Sequence, residues 1–260
     1  METIAIFTFL IYVGVFIVSG LSNGIIGEYT TGEISGFYPT LVTPAGYAFS
    51  IWGLIYFFFA VYVIFQVLPK NQNHKLVKLL GPWPLLLGIS LFLWQIVWAY
   101  QTRGQLAASV CIILFGLFCT AMIQHKLGKA VFCDYFTVRI GFSLCLGWLT
   151  VASLINIYAA FGLYPDNGIS MQVIIGMSYF GIALLLPIAA LVVYMTRDPA
   201  PTLTMGWGLI GIYVNQQKYM DLAIFALVTA IVILLMGAIT LLVWIKNGRQ
   251  SKKERVNENE

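Results

Sequence analysis

Eight long apolar stretches run through this 260-residue chain, and they restrict its fold more than any other feature. A helix needs about 20 apolar residues to cross the ~30 Å hydrocarbon layer of a bilayer, and the stretches approach or exceed that length. Only 9% of the residues are charged, whereas soluble domains carry about a quarter. We therefore predict an all-α polytopic membrane protein. Its eight spans are expected near residues 3–22, 45–68, 80–100, 106–124, 138–162, 171–196, 202–217 and 221–245.

The positions of the Lys and Arg residues predict how these spans are oriented, because basic loops are retained on the cytoplasmic side. With the amino terminus inside, twelve of the 14 basic residues lie in inside loops or in the tail, and Arg103 and Lys218 lie outside. Both termini are therefore expected in the cytoplasm, with residues 247–260 as a charged tail. The first stretch lacks the basic region of a signal peptide, so we expect it to be retained. The basic charge belongs to short loops, and no nucleic-acid partner is predicted.

By these boundaries, no ionisable residue lies well inside a span. The acidic residues fall in loops, in the tail or at the first residue of a span, and Arg139 is assigned to an inside loop. Charged side chains within a membrane mark proton relays and ion-coupled carriers, so a proton-driven exporter is disfavoured. No HExxH, GxSxG or phosphate-loop motif occurs, and no Cys/His spacing suits a metal. We therefore predict no enzyme activity, no metal site and no cofactor.

The second span begins with an unusual stretch, TPAGYAFSIWGLIY at residues 43–56. Pro44 suits the first turn of a helix, where a missing N–H group costs nothing. On a helix, one face of the stretch is aromatic and consists of Phe49, Trp52 and Tyr56. Another face is made of small residues and consists of Gly46, Ser50 and Gly53. The pattern raises the question of what each face contacts.

Tryptophan in membrane proteins mostly lies at the bilayer interfaces. Four of the seven tryptophans lie too deep in their spans to suit that position: Trp52, Trp94, Trp98 and Trp148. A buried indole N–H needs an acceptor, and the amides of Gln95 and Asn156 lie at helical spacing from these rings. Amides at this depth face protein or a cavity, because lipid offers them no hydrogen bond. Two interpretations stay open, in which the amides either join helices or line a ligand cavity.

Three segments resemble the signatures of the tryptophan-rich sensory protein family, the bacterial relatives of the mitochondrial translocator protein. They are FYPTLVTPAGYAFSIWGLIY at 37–56, LWQIVWAY at 93–100 and GWLTVASLIN at 147–156. The third is the most specific, because Trp148, Ala152, Ser153 and Asn156 keep the family's spacing without a gap. Where the family has Trp, Lys, Asn and Thr, this chain has Phe37, Thr43, Gln95 and Ser153.

The resemblance covers residues 1–162 and implies a five-helix bundle there, followed by a three-helix extension over 163–246, as in a longer branch of the family. The first loop would roof a pocket between the helices. The implied pocket residues are Tyr38, Pro44, Phe49, Trp52, Tyr56, Gln95, Trp98, Trp148, Ala152 and Asn156. In that arrangement Pro44 ends the roof, the aromatic face presents its rings to the ligand, and the small face lets a neighbouring helix approach.

The resemblance implies a receptor, sensor or carrier for planar hydrophobic molecules in a bacterial plasma membrane, with porphyrin, haem or a sterol-like compound as ligand. A transporter of amphipathic small molecules is the alternative, because Pro187 and the segment GWGLIG at 206–211 resemble broken transporter helices. A porphyrin-degrading enzyme is a third alternative, for which no general base is visible. The expected partners are the ligand and the lipid bilayer, and a homodimer is left open.

Overall fold

The computed structural model describes residues 2–21, 29–71, 73–99, 103–129 and 134–257. These residues form ten α-helices and no strand, which confirms the predicted all-α membrane fold. The helices are α1 (Glu2–Leu21), α2 (Thr31–Gly36), α3 (Ile51–Val67), α4 (Lys75–Leu80), α5 (Trp83–Ala99), α6 (Arg103–Leu127), α7 (Ile140–Ala160), α8 (Met171–Thr196), α9 (Ala200–Asn215) and α10 (Met220–Asn257).

Eight of these helices, all except the short α2 and α4, lie at the eight predicted spans. Within the described residues, six of the eight, taken with their adjoining turns, are long and apolar enough to cross a membrane. The other two, α5 and α9, have 17 and 16 residues, slightly fewer than a full crossing usually needs. The predicted crossing by α9 therefore stays a prediction. The helix α10 continues to Asn257, well into the segment that was expected to form a tail.

Five helices form a closed ring, in which each packs against two neighbours. The helix α1 packs on α3 and α5, α3 packs on α7, and α6 closes the ring between α7 and α5. Seventeen of the 21 residues of α7 are buried, so protein surrounds this helix on nearly every side. The ring encloses one cluster of buried apolar side chains, which includes the four deep tryptophans.

The helices α8, α9 and α10 pack outside the ring, and α9 makes the main contact with it by lying along α7. Glycine allows this approach on both helices. A Cβ atom at Gly147 of α7 would lie 2.0 Å from the carbonyl oxygen of Pro201, and one at Gly208 of α9 would lie 2.9 Å from Val151. A second cluster of buried apolar side chains fills the space between α7 and these three helices.

The helices of the extension are continuous. The helix α8 runs unbroken through Pro187, and α9 runs unbroken through the segment 206–211. Its glycines provide close contacts, since a Cβ atom at Gly206 would lie 2.6 Å from Leu234 and one at Gly211 would lie 2.8 Å from Pro44. The suggested resemblance to broken transporter helices is therefore wrong for both helices.

The small face of the second span also differs from its prediction. Among the described residues, a Cβ atom at Gly53 would meet no atom within 4 Å, so no helix approaches closely there. Gly46 begins a 3-10 turn that ends at Ser50, α3 starts only at the next residue, and α2 approaches Gly46 through Gly32. The close contacts between the ring and the extension form at the glycines of α7 and α9.

A buried ion pair joins the ring to the extension. The Nε atom of Arg139 lies 3.0 Å from Oδ2 of Asp198, and these residues are 5% and 0% exposed. The Asp198 carboxylate also accepts hydrogen bonds from the hydroxyls of Tyr135 and Ser143, at 2.7 and 2.6 Å, and Arg139 donates to the carbonyl oxygen of Gly128. The sequence assigned Arg139 to an inside loop, whereas in the structure it lies near the start of the apolar segment Tyr135–Ala160 and is buried by its contact with Asp198.

Candidate ligand-binding site

The roof loop, defined here as residues 37–50, connects α2 to α3 and rests on the three-helix extension. Leu41 and Val42 are buried in the apolar cluster of the extension. The indole N–H of Trp207 on α9 donates to the carbonyl oxygen of Ala48 at 2.8 Å. The extension therefore holds a loop that belongs to the five-helix part of the chain.

Two amide side chains at the end of α9 hold the same loop. The Nδ2 group of Asn215 donates to the carbonyl oxygen of Thr43 at 3.1 Å. The Nε2 group of Gln216 donates to the carbonyl oxygens of Thr40 and Thr43, each at 3.2 Å. Buried backbone carbonyls need donors, and here side chains more than 170 positions away supply them.

The tryptophan cluster, defined as Trp52, Trp94, Trp98 and Trp148, lies inside the helix ring. The ring centroids of Trp52 and Trp94 are 5.8 Å apart, and those of Trp94 and Trp98 are 5.7 Å apart in a stacked arrangement. Trp148 meets Trp52 edge-on at 6.3 Å. The four indoles are almost wholly buried, so they form one continuous aromatic surface from α3 to α5 and α7.

Three more of the predicted aromatic residues border this cluster. Tyr56 stacks on Trp52 at 5.3 Å, and Phe49 of the roof loop meets Trp148 edge-on at 5.7 Å. Tyr38, also in the roof loop, has its ring 6.4 Å from that of Trp98. The structure therefore brings all six predicted aromatic residues together.

Two indoles of the cluster have hydrogen-bond acceptors. The Trp94 N–H donates to Oδ1 of Asn156 at 3.2 Å, and the Trp98 N–H donates to the carbonyl oxygen of Thr31 at 3.3 Å. The second bond ties α5 to the short helix beside the roof loop.

The other two indoles of the cluster differ in this respect. The N–H groups of Trp52 and Trp148 are buried and have no acceptor among the described residues. An indole N–H that is buried without a partner is costly, so such groups call for an explanation.

Asn156 and Gln95 make contacts that join or stabilise helices. Besides accepting from Trp94, Oδ1 of Asn156 accepts from the hydroxyl of Ser109 on α6, and its Nδ2 group donates to the carbonyl oxygen of Ala152 at 2.8 Å. The Gln95 amide donates within its own helix, to Leu91 at 3.4 Å. These bonds support the interpretation of Asn156 as a link between α5, α6 and α7.

Pro44 also contacts the extension. Its side chain packs against Gly211 of α9, and the neighbouring Ala45 N–H donates to the Gly211 carbonyl oxygen at 2.9 Å. The prediction that Pro44 ends the roof and begins the helix is wrong, because a 3-10 turn begins only at Gly46, α3 begins at Ile51, and Pro44 lies within the roof loop.

A cavity of about 470 Å³ lies beside Trp52, between the end of α1, the start of α2 and the roof loop. This volume is within the usual range for small-molecule pockets. Its described lining combines polar and aromatic side chains: Ser19, Thr30, Thr31, Gly32, Glu33, Gly46, Phe49 and Trp52. Of the residues predicted to bind a ligand, Phe49 and Trp52 line this cavity.

Glu33 carries the charge in the described lining, and a capping box holds it in place. Its carboxylate accepts from the backbone N–H of Thr30 at 2.7 Å, and its own N–H donates to the Thr30 hydroxyl at 3.2 Å. These hydrogen bonds to the charged form lower the pKa of Glu33 below its ordinary value. Glu33 is therefore an anion at neutral pH.

The sequence-based search missed the polar side of this cavity. The segment TTGE at 30–33 follows the pattern of a helix-capping box, and that signal could have placed a short helix beside the roof loop. Nothing local marks Trp207, Asn215 and Gln216 as partners of the roof loop, because these contacts connect distant parts of the chain. Glu28, which the sequence suggested as a carboxylate near the pathway, lies outside the described residues.

Comparison with known proteins identifies the family of this chain. No curated protein and no solved structure shows a significant match to the chain. The sequence does match the family described as TSPO-like protein over residues 5–239, which covers the five-helix ring and nearly all of the extension. The chain therefore belongs to the TSPO-like protein family.

Proposed function

We propose that this membrane protein binds planar hydrophobic small molecules at the cavity beside Trp52, with the roof loop as its cover. Porphyrin, haem and sterol-like compounds are the candidate ligands. The protein would act as a receptor, sensor or carrier, and the proposal assigns it no reaction. In the predicted orientation both termini are cytoplasmic and the cavity opens on the opposite side of the membrane.

The observation that carries the proposal is the cavity wall, in which Phe49 and Trp52 stand beside polar residues and the rest of the tryptophan cluster lies directly behind Trp52. The aromatic surface behind Trp52 adds contacts with a flat ligand, each worth about 0.5–1.5 kcal/mol beyond burial.

The alternative functions have weaker support. Transport was suggested because the sequences of α8 and α9 resemble those of broken transporter helices, and both helices are continuous in the structure. Porphyrin degradation needs an acid–base group, and the described lining of the cavity offers one ionised carboxylate, which is engaged by Thr30. A binding function requires neither feature.

The test compares Trp52→Phe with Trp148→Phe. Both substitutions shorten a buried indole and remove an N–H that has no acceptor among the described residues, and Trp148 does not line the cavity. We expect similar small losses of stability. Trp52→Phe should also weaken porphyrin binding by about 0.5–1.5 kcal/mol, since it replaces an indole of the cavity wall by a smaller ring.

Quenching of tryptophan fluorescence in purified protein measures the affinities, and thermal denaturation in the same detergent measures the stabilities. Equal losses of affinity in both variants would place the ligand among the tryptophans, where the sequence predicted it. Unchanged affinity in Trp52→Phe would remove the cavity from the proposal.

A further inference from the structure

The cavity beside Trp52 has a described wall without a basic side chain. Its polar part consists of hydroxyl groups from Ser19, Thr30 and Thr31, together with the Glu33 carboxylate. Its apolar part consists of the rings of Phe49 and Trp52. This combination of groups bears on the charge of the ligand.

We infer that the cavity selects planar ligands that are neutral or positively charged and discriminates against ligands that carry carboxylates. This inference rests on the proposed function and narrows its ligand class. It favours sterol-like or cationic aromatic compounds over porphyrin dicarboxylates.

A capping box holds Glu33 beside the cavity. The hydrogen bond that Glu33 accepts from the Thr30 N–H and the return bond to the Thr30 hydroxyl fix the carboxylate against the first turn of α2. The lowered pKa of Glu33 keeps the group ionised throughout the neutral range. A ligand carboxylate that entered the cavity would therefore be repelled by the Glu33 carboxylate, which stays ionised at neutral pH.

The first turn of α2 offers no compensation for that repulsion. A helix N-terminus attracts anions through its free N–H groups and its dipole. Here the protein's own carboxylate already occupies the Thr30 N–H and lies at this end of the helix. A ligand anion would compete with Glu33 for the same donors.

The aromatic wall acts in the opposite direction. The faces of tryptophan and phenylalanine rings attract cations through their quadrupoles, most strongly for tryptophan. Lys218 is a basic residue that is predicted on the same side of the membrane as the cavity. Its ammonium lies over the ring of Tyr219, and Lys218 does not line the cavity.

The size of the effect follows from Coulomb's law. One ligand carboxylate about 6 Å from the Glu33 carboxylate lowers the affinity by roughly threefold in a water-like dielectric. Two ligand carboxylates lower the affinity by up to about tenfold. Salt at 0.5 M should remove most of the difference, because Glu33 is exposed and screening is efficient there.

The experiment uses three porphyrins with one ring system: a dicarboxylic acid, its dimethyl ester, and a diamide that carries two ammonium groups. Their affinities are measured for the full-length protein and for Glu33→Gln at low and high salt. Glutamine at this position can still complete the capping box, so the helix is retained while the charge is removed.

We expect Glu33→Gln to strengthen binding of the dicarboxylic acid by about threefold to tenfold, to leave the ester unchanged, and to weaken binding of the ammonium compound by a similar factor. For each ligand, the affinity for Glu33→Gln is compared with the affinity for the unaltered protein. Differences in hydrophobicity among the three ligands therefore cancel. A sterol is measured beside them as a further neutral ligand.

Two kinds of failure can be distinguished. Binding of the three porphyrins with affinities that Glu33→Gln leaves unchanged would overturn the charge selection and leave the proposed function standing. A loss of affinity for the dicarboxylic acid in Glu33→Gln would overturn it as well. Absence of binding by every porphyrin and by the sterol would overturn the proposed function, and the charge selection with it.

Discussion

Replacement of Gln216 by alanine should loosen the roof loop. This side chain lies at the end of α9 and is only 7% exposed. Its amide donates to the carbonyl oxygens of Thr40 and Thr43, each at 3.2 Å. After the substitution Thr43 keeps its bond from Asn215, and Thr40 keeps its bond from the Thr43 N–H. The roof loop therefore loses two bonds to the end of α9, and neither carbonyl is left without a donor.

The size of the effect can be worked out from these bonds. Each buried hydrogen bond contributes about 1 kcal/mol net, so the loss of two costs about 2 kcal/mol. Because 1.4 kcal/mol corresponds to a factor of ten, the equilibrium between closed and open roof loop should shift by roughly 30-fold toward the open state. The loop should stay docked in most molecules, since Asn215 and Trp207 still hold it.

Hydrogen exchange at the amide of Ala45 measures this equilibrium. That N–H donates to the carbonyl oxygen of Gly211, so it is released only when the roof loop separates from α9. Its exchange should become roughly 30-fold faster in Gln216→Ala, as followed in a peptide that spans the loop. Affinity for the ligand should fall as well if the closed loop covers it.

Gln217→Ala provides the matched control. This neighbouring glutamine is exposed and donates to the carbonyl oxygen of Tyr213, four residues earlier. Its replacement should leave the exchange of Ala45 unchanged. Equal exchange in Gln216→Ala and in the unaltered protein would refute the argument that α9 holds the roof loop, and equal acceleration in both variants would show a general loosening of the helix end.

Two further predictions concern the extension and its orientation. Asp198→Asn should lower the free energy of unfolding by about 3–5 kcal/mol, because Arg139 would remain buried without its counter-ion. The double variant Arg139→Met/Asp198→Leu should recover only part of that loss, since the hydroxyls of Tyr135 and Ser143 lose this acceptor. Denaturation in detergent measures both, and a single variant as stable as the unaltered protein would contradict the argument. Reporter domains fused before and after α9 should indicate the cytoplasmic and the opposite side, respectively, and signals from the same side would show that α9 does not cross.

The sequence by itself determined where the long helices lie. A crossing of the bilayer requires about 20 apolar residues in succession, and that requirement is local, so it can be recognised without any knowledge of packing. The family also follows from local patterns, since the spacing from Trp148 to Asn156 lies within one helix. The resemblance to the family is confirmed by the match over residues 5–239.

The grouping of the aromatic residues could be anticipated in part. Trp52, Trp98 and Trp148 were expected together, and their rings do form one cluster with Trp94. Which of them lines the cavity could not be foreseen. That depends on how the roof loop and α2 lie over α3, and Glu33 enters the lining only through that arrangement.

Only the tertiary structure decided which faces of the helices meet. In a soluble protein the apolar face of a helix identifies its buried side, whereas in lipid both faces are apolar and the sequence loses that contrast. Glycine therefore indicated a helix contact at Gly53 that does not form, whereas α7 and α9 approach each other closely at Gly147 and Gly208. The Arg139–Asp198 pair was hidden for a related reason, because 59 positions separate two charges that looked like ordinary loop residues until the fold buried them together.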